Sequence, residues 1–380
     1  MQILPVASGK GGVGKSLVAA NLSIALGQTG RTVILVDLDL GGSNLHTILG
    51  IRAPETGLGT FLAGKGKALE DTLIPTDYDN LLFIPGDGEI PGAADLKSHQ
   101  KRALMRKLIN LSADYIVLDL GSGTGLNTLD FFLLSSRGII VTIPTLTAIL
   151  NAYLFLKNSV FRLIDHSFSA KGPAGPYIRS LKSQGAALQR TYIPSILPEL
   201  RVLDPEGYEK FVTQRGSFQP LLVMNLLEDP KDGEKAAKIR RSCVHYLGVD
   251  LEHLGVVYRD SLQDTALSSG LPIIIYKPQA VLSLAIRRIA DRVLEQTADG
   301  MSLPDMDEVD ESYHTADLEA EIDFDTKVQY MKDLLHTGAL SEGDLVETIH
   351  MQQYELSRLR KENQLLKSKI VKAAEAGFSV

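Results

Sequence analysis

Two lysines and four glycines crowd into nine residues near the start of the chain, Ser8-Gly-Lys-Gly-Gly-Val-Gly-Lys-Ser16. Gly9, Gly14, Lys15 and Ser16 fit the pattern G-x-x-x-x-G-K-[ST], whose backbone N–H groups cradle phosphate oxygens. Glycine suits such a loop because an anion must approach bare backbone, and a Cβ would block it. Gly11, Gly12 and Val13 complete the cradle. Lys15 is placed to reach the β- and γ-phosphates, and the Ser16 hydroxyl to ligate Mg²⁺. The chemistry this implies is binding of ATP with Mg²⁺.

The flanking residues predict elements that hold the loop in place. Ile3 to Ala7 is an apolar run suited to a buried parallel strand. Lys15 to Leu26 has helical apolar spacing through Val18, Leu22, Ile24 and Leu26, so the phosphates would sit at a helix N-terminus. Thr32 to Val36 is a second apolar strand, running into Asp37-Leu-Asp39. Tyr115 to Leu118 is a third, ending in Asp119-Leu-Gly121. One carboxylate after an apolar strand is more often a turn former than a ligand. Here the loop and two acidic segments fall at strand ends, where open α/β sheets bind their ligands.

Lys10 narrows the reading. The run K-G-G-x-G-K-[ST] resembles the deviant Walker A motif of the MinD/ParA ATPase family; the plain alternative is an ordinary phosphate loop carrying a solvated lysine. In the family this lysine crosses a dimer interface to the nucleotide of the other subunit, which implies a catalytic part for Lys10 beside Lys15. Asp37-Leu-Asp39-Leu-Gly-Gly-Ser-Asn44-Leu45 resembles the family's switch I. By that resemblance Asp39 orients the attacking water or takes its proton, and Asp37 lies near the Mg²⁺ shell. Asp119-Leu-Gly121-Ser-Gly-Thr-Gly125 resembles Walker B followed by switch II, with Asp119 holding the metal through water. Asn225, after the strand Leu221 to Met224, matches the adenine-reading asparagine. Gly255-Val-Val-Tyr258-Arg-Asp260, with Gly270-Leu-Pro272, tracks the family segment G-x-(I/V)-P-x-D…G-x-P around the base, Tyr258 standing in place of proline. Residues 119 to 151 resemble most the FlhG/FleN-like positioning subgroup, although Pro144-Thr145-Leu146-Thr147 replaces the usual Pro-Glu-Pro-Thr and that subgroup's N-terminal extension is not seen ahead of strand one.

The resemblance runs to about residue 297. It implies a P-loop NTPase of α/β class, with a mostly parallel twisted sheet and helices on both faces. The function it implies is an ATP-dependent dimerisation switch, with slow, partner-stimulated hydrolysis that controls the position of a cellular structure such as flagella, a pole or a chromosome. Two other classes stay open: a metabolic ligase or synthase on the same fold, and a scaffold that binds nucleotide without turnover. Residues 165 to 219, punctuated by Gly172-Pro173, Gly175-Pro176, Pro194, Pro198 and Pro205, predict a helical insertion with helices at Tyr177 to Leu188 and Pro205 to Arg215. Arg179, Lys182, Arg190, Lys238, Arg240 and Arg241 offer some charge for non-specific DNA contact.

Composition bounds the rest. With 380 residues and 44% apolar content, the chain can fill one large α/β domain plus extra elements. No apolar run is long enough to span a membrane, and no basic-then-apolar leader is seen, so a cytoplasmic protein is expected. The one cysteine, Cys243, argues against relatives that hold iron–sulfur clusters through paired thiolates. No N-K-x-D guanine-reading motif appears, which favours ATP over GTP.

The net charge of −7 is uneven. Asp299 to Asp325 holds 11 acidic residues and no lysine or arginine, leaving +3 on residues 1–298. Residues 298–325 therefore read as a self-repelling, flexible linker. Residues 326–380 read as a helical tail, stopped once at His336-Thr-Gly338, with a parallel dimeric coiled coil over about 345–374. There Ile349, Leu356, Asn363 and Ile370 take the a positions, and Gln352, Leu359, Leu366 and Ala373 the d positions. A lone asparagine at an a position selects parallel dimers, and Glu355–Arg360 and Glu362–Lys367 attract only in that alignment. The expected partners are thus a second copy of this chain, held by an ATP sandwich and by the tail, and an activating protein. A tail helix packed on its own domain, or contacting a membrane surface, remains the alternative.

Overall fold

The structure, a computed structural model, describes residues 1–54, 56–62, 68–86, 96–183, 192–298 and 306–336, with His350, Gln353 and Ser357. Its strands are β1 (Gln2–Ala7), β2 (Val33–Leu38), β3 (Ile74–Pro75), β4 (Leu81–Ile84), β5 (Tyr115–Leu120), β6 (Ile139–Thr142), β7 (Leu221–Leu227) and β8 (Glu252–Tyr258). They form one sheet in the order β3-β4-β2-β5-β1-β6-β7-β8. All pairs are parallel except β3 with β4. Every residue of β2, β5 and β6 is buried, because helices cover both faces and neither face of these strands meets water. Alternate residues feed two cores. Leu4 and Val6 point into one, Ile3 and Ala7 into the other.

The helices are α1 (Lys15–Gln28), α2 (Leu45–Ile48), α3 (Leu58–Leu62), α4 (Ser98–Ile109), α5 (Leu126–Phe132), α6 (Leu146–Ser167), α7 (Gly175–Ser183), α8 (Ile193–Leu203), α9 (Pro205–Ser217), α10 (Glu234–Leu247), α11 (Leu262–Ser268), α12 (Ile273–Tyr276), α13 (Val281–Ala298) and α14 (Met306–His336). The insertion expected over 165–219 is helical, as α7 to α9. Its first helix is described as far as Ser183, and the rest of the predicted Tyr177–Leu188 span lies outside the described residues. The prolines predicted to punctuate are instead absorbed into α8. Pro194 occupies the first turn, where its missing N–H costs nothing, and Pro198 is held inside the helix by burial of Ile193, Ile196 and Leu200.

Asp130 of α5 ties three helices together. It is buried, and Arg162 of α6 grips it through Nε at 2.5 Å and Nη2 at 2.9 Å, with Lys101 of α4 on its other side. Burial opposes its charge, but hydrogen bonds from His166, Arg162 and Lys101 outweigh that and hold its carboxyl well below the usual range. Its stabilisation is therefore complete above the unfolded pKa of about 4 and fades only in stronger acid. Asp130→Asn leaves two cations without their shared counter-charge and should cost about 3 kcal/mol, read as a lower denaturant midpoint. An unchanged midpoint would show that the network is not what joins these helices.

The described part of the acidic segment, 306–325, is helical and not an extended linker. Residues 306–336 form one helix, and the compact unit that contains the sheet runs to Phe324, not to 297. Three acids of α14 meet three arginines of the sheet domain: Asp310 pairs with Arg240, Glu319 with Arg292 at 2.6 Å, and Asp323 with Arg288. Between them Tyr313, Ala316 and Ala320 are buried, and the Tyr313 hydroxyl donates to the Leu251 carbonyl at 2.6 Å. Three of the charges that would repel one another in an isolated segment are thus balanced across the contact. The helix also packs on β8, the last strand in the sheet order, where the His253 N–H donates to the Ser312 hydroxyl at 3.2 Å. The tail helix expected to begin at Thr326 is the continuation of α14. The coiled coil expected over about 345–374 lies outside the described residues, apart from the three isolated positions named above.

Candidate nucleotide-binding site

β1, at the centre of the sheet, delivers the glycine-rich loop to the N-terminus of α1. Gly12 and Gly14 take φ of +77° and +82°, a left-handed region that other residues adopt reluctantly. Gly9 is constrained by space. A Cβ there would lie 2.1 Å from the Asn151 carbonyl oxygen of α6. Gly12 faces open space and Gly11 only the Ser122 hydroxyl, 3.6 Å from where its Cβ would stand, so the N–H groups of the loop line a hollow free of bulky side chains. Bare donors around an open hollow at a helix N-terminus fit an anion of phosphate chemistry.

Lys15 is buried and ion-paired with Asp119 of β5, and its Nζ stands 3.3 Å from the Ser16 hydroxyl. Asp119 is in register with Asp37 of β2, so the two buried carboxylates lie side by side. Burial, then the charge of Asp119, pushes the Asp37 carboxyl up to about 6, against hydrogen bonds from the Ser43 hydroxyl and the Asp39 and Leu45 backbone N–H groups. Those bonds measure 2.6, 3.1 and 3.4 Å. Burial also raises Asp119, with Lys15 opposing. Asp39 lies just beyond, its carboxylate 3.3 Å from where a Gly121 Cβ would stand, so the segments after β2 and β5 touch. Three carboxylates face one ammonium, an excess of negative charge that suits a divalent cation. Among the described residues no three His, Cys, Asp or Glu side chains converge into a direct cage. The donor set fits Mg²⁺ held by the Ser16 hydroxyl, phosphate oxygens and water, with Asp37 and Asp119 behind the water.

Lys10 behaves differently. It is exposed, and among the described residues its Nζ reaches the Thr147 hydroxyl of α6, at 3.4 Å. Asn225 donates from Nδ2 to the Val13 carbonyl at 2.8 Å, while its buried Oδ1 has no partner. One end of this amide therefore braces the phosphate loop and the other is left for a donor. Asp260 follows β8 and accepts the Leu262 N–H at 3.0 Å, opening α11. Three contributors escaped the sequence reading: the Ser43 hydroxyl on Asp37, Thr147 beneath Lys10, and the Asn151 carbonyl against Gly9. Ser43 was the most accessible of them, since it lies inside the Asp37–Leu45 segment. The basic residues considered for DNA are largely spent elsewhere. Arg240 binds Asp250 and Asp310, Lys182 binds Asp165, and Arg179 binds the Ala170 carbonyl. Arg190 lies outside the described residues.

A family model described as ParA, NUBPL iron-transfer P-loop NTPase, matches residues 1–156. That stretch contains no cysteine, so nothing in it could hold iron through thiolate. The chain is 35% identical over 161 residues to the flagellum site-determining protein YlxH of Helicobacter pylori, covering 41% of this chain and 53% of that protein. It thus spans about half that relative's length. The antiactivator FleN of Pseudomonas aeruginosa is 24% identical over 296 residues, covering 77% of this chain and 86% of FleN. The structure of MinD from Pyrococcus horikoshii, solved with Mg-ADP, superposes with a TM-score of 0.54 at 22% identity, covering 80% of this chain and 99% of that one. The likeness of fold, over 80% of the chain, therefore extends well past the residues that the family model matches. Residues 1–156 are thus similar to the ParA P-loop NTPases, and the fold is like that of MinD.

Proposed function

We propose that this protein is an ATP-dependent dimerisation switch that hydrolyses ATP to ADP and phosphate and so controls where a cellular structure is built. The observation that carries the reading is the separation of the two lysines. Lys15 is buried against Asp119, whereas Lys10 stands exposed at the mouth of the same loop. A lysine that serves only its own phosphate site has no need to be displayed. On α6, which carries Thr147, Leu146 and Leu150 are exposed by 82% and 54%. Apolar side chains beside a cationic rim suit the docking of a second copy.

In this reading the N–H groups of the loop and the Lys15 ammonium bind the phosphates, and Ser16, Asp37 and Asp119 hold Mg²⁺ directly or through water. The metal, when bound, neutralises charge developing on the phosphoryl oxygens. Asp39 orients water for attack and accepts its proton, and Asn225 and Asp260 stand at the base end. The names of the relatives, which speak of flagellum and septum site determination, support a positioning role. An activating protein partner, and a second, constitutive contact through residues 345–374, complete the proposal.

The test is to follow mass by light scattering with and without ATP and Mg²⁺. Asp39→Ala should bind ATP, lose hydrolysis by about 100-fold or more, and accumulate the nucleotide-dependent contact. Lys10→Ala should keep ATP affinity within about 3-fold yet fail to form that contact. Unchanged hydrolysis by Asp39→Ala, or equal loss of ATP binding in Lys10→Ala and Lys15→Ala, would sink these assignments.

A further inference from the structure

Tyr258 is the residue at which the sequence departs from the family pattern around the base, and the tertiary structure shows where it goes. It ends β8, two residues before Asp260, and is fully buried. Its hydroxyl donates to the Ala320 carbonyl of α14 at 2.7 Å, and its ring lies 6.3 Å from that of Phe324. The same stretch of α14 is clamped by Arg288 on Asp323 and by Arg292 on Glu319. The strand end and the helix are therefore one packed unit.

The backbone beside Tyr258 is also strained. Leu227 pairs with Tyr258 across a register shift in β7–β8, and Leu226, just before it, takes φ of +56°. A leucine in the left-handed region persists only when its surroundings over-determine it. The surroundings here are the Arg259 N–H bond to the Leu227 carbonyl at 3.0 Å and the buried Tyr258 on α14. Asn225 lies one residue before Leu226, with its unpartnered Oδ1. Asn225 and Asp260, the two residues assigned to the base end, thus flank a strained irregularity of β7 that α14 helps to hold.

We propose that Tyr258 is a positioning residue that couples docking of α14 to the base end of the nucleotide site. This rests on the reading of Asn225 and Asp260 as the base end. Undocking α14 removes the acceptor of a buried hydroxyl and the cover of its ring, and it frees the strained end of β7 next to Asn225. By reciprocity, whatever α14 does to nucleotide affinity, nucleotide does to the docking of α14. The helix that leads into the tail would then sense occupancy of a site it does not touch.

The experiment uses the full chain, its Tyr258→Phe variant, and Asp323→Asn, which weakens the same docking away from β8. Affinity for a fluorescent ATP analogue is measured by equilibrium titration, and hydrogen exchange of residues 313–324 is followed with and without ATP and Mg²⁺. ATP should slow exchange across 313–324 in the unmodified chain. Tyr258→Phe should speed it without nucleotide and weaken analogue binding by about 5-fold or more, and Asp323→Asn should do both to a lesser degree. If either variant loosens α14 while affinity stays unchanged, or if ATP leaves exchange over 313–324 untouched, the coupling is refuted. An unmodified chain that binds no analogue would overturn the functional reading as well. That outcome is distinct, because the loosening of α14 is readable without nucleotide.

Discussion

Replacing Lys15 with alanine should weaken ATP binding by at least about 100-fold, the largest single loss expected of any substitution in this chain. Two charges explain the size. The ammonium is the direct counter-ion for phosphate, and in the nucleotide-free protein it also balances Asp119, with Asp37 beside it. Without it an incoming polyphosphate meets two buried carboxylates, with the exposed Lys10 as the loop's remaining cation. Stability should fall too. Breaking a buried pair from one side costs about 3–5 kcal/mol, reduced here because Asp119 can take up a proton in place of its partner. Lys15→Met separates the effects, since it fills the space but carries no charge and should match alanine in affinity. Titration calorimetry that finds ATP affinity within 3-fold of the unmodified protein would show that Lys15 does not face the phosphates.

Acid should destabilise the domain through one histidine. His253 of β8 is buried beneath α14, its ring 5.1 Å from that of Tyr313, and neither ring nitrogen has a partner. Burial, aided by the charge of Arg292, pushes its pKa down to about 3. The unfolded chain binds that proton near pH 6.5 and the folded chain does not. Stability from this site is therefore full above pH 6.5 and is lost as the pH falls toward 3, by about 2 kcal/mol at pH 5 and more below. Asp37 works in the opposite sense. Its raised carboxyl favours the folded state as the pH falls from about 6 to 4, so the two partly cancel in a simple acid titration. His253→Leu isolates the histidine. Between pH 7 and pH 5 the variant should lose about 2 kcal/mol less than the unmodified protein, measured by urea unfolding at each pH. Parallel pH profiles for the two proteins would mean that His253 is accommodated as a cation.

The phosphate loop, the strands β1, β2, β5 and β7 and the carboxylates after β2 and β5 were legible from residue order. Each depends on local rules: glycine where backbone must be bare or left-handed, unbroken apolar runs where a strand is covered on both faces, a carboxylate where such a run stops. β3 and β4 were not predicted, because two and four residues carry too little pattern to mark a strand. The prolines of α8 misled, because burial of Ile193, Ile196 and Leu200 outweighs a local preference.

Charge patterning failed where its partners lay far off in the chain. The acids of α14 look self-repelling until Arg240, Arg288 and Arg292, which the sequence does not group, are brought against them by the sheet edge. Lys15 and Asp119, 104 residues apart, were each given a ligand role by motif, but their pairing with one another required β1 and β5 to lie side by side. Tyr258 looked like a defect in the base segment and proved to be a contact with a helix that begins 48 residues later at Met306. Residue types and local spacing determined which chemistry this chain is equipped for. The long-range approach of strands and helices decided which charges are balanced, which side chains stay free, and which distant helix bears on the site, because Coulomb and packing energies depend on distance in space and not on distance along the chain.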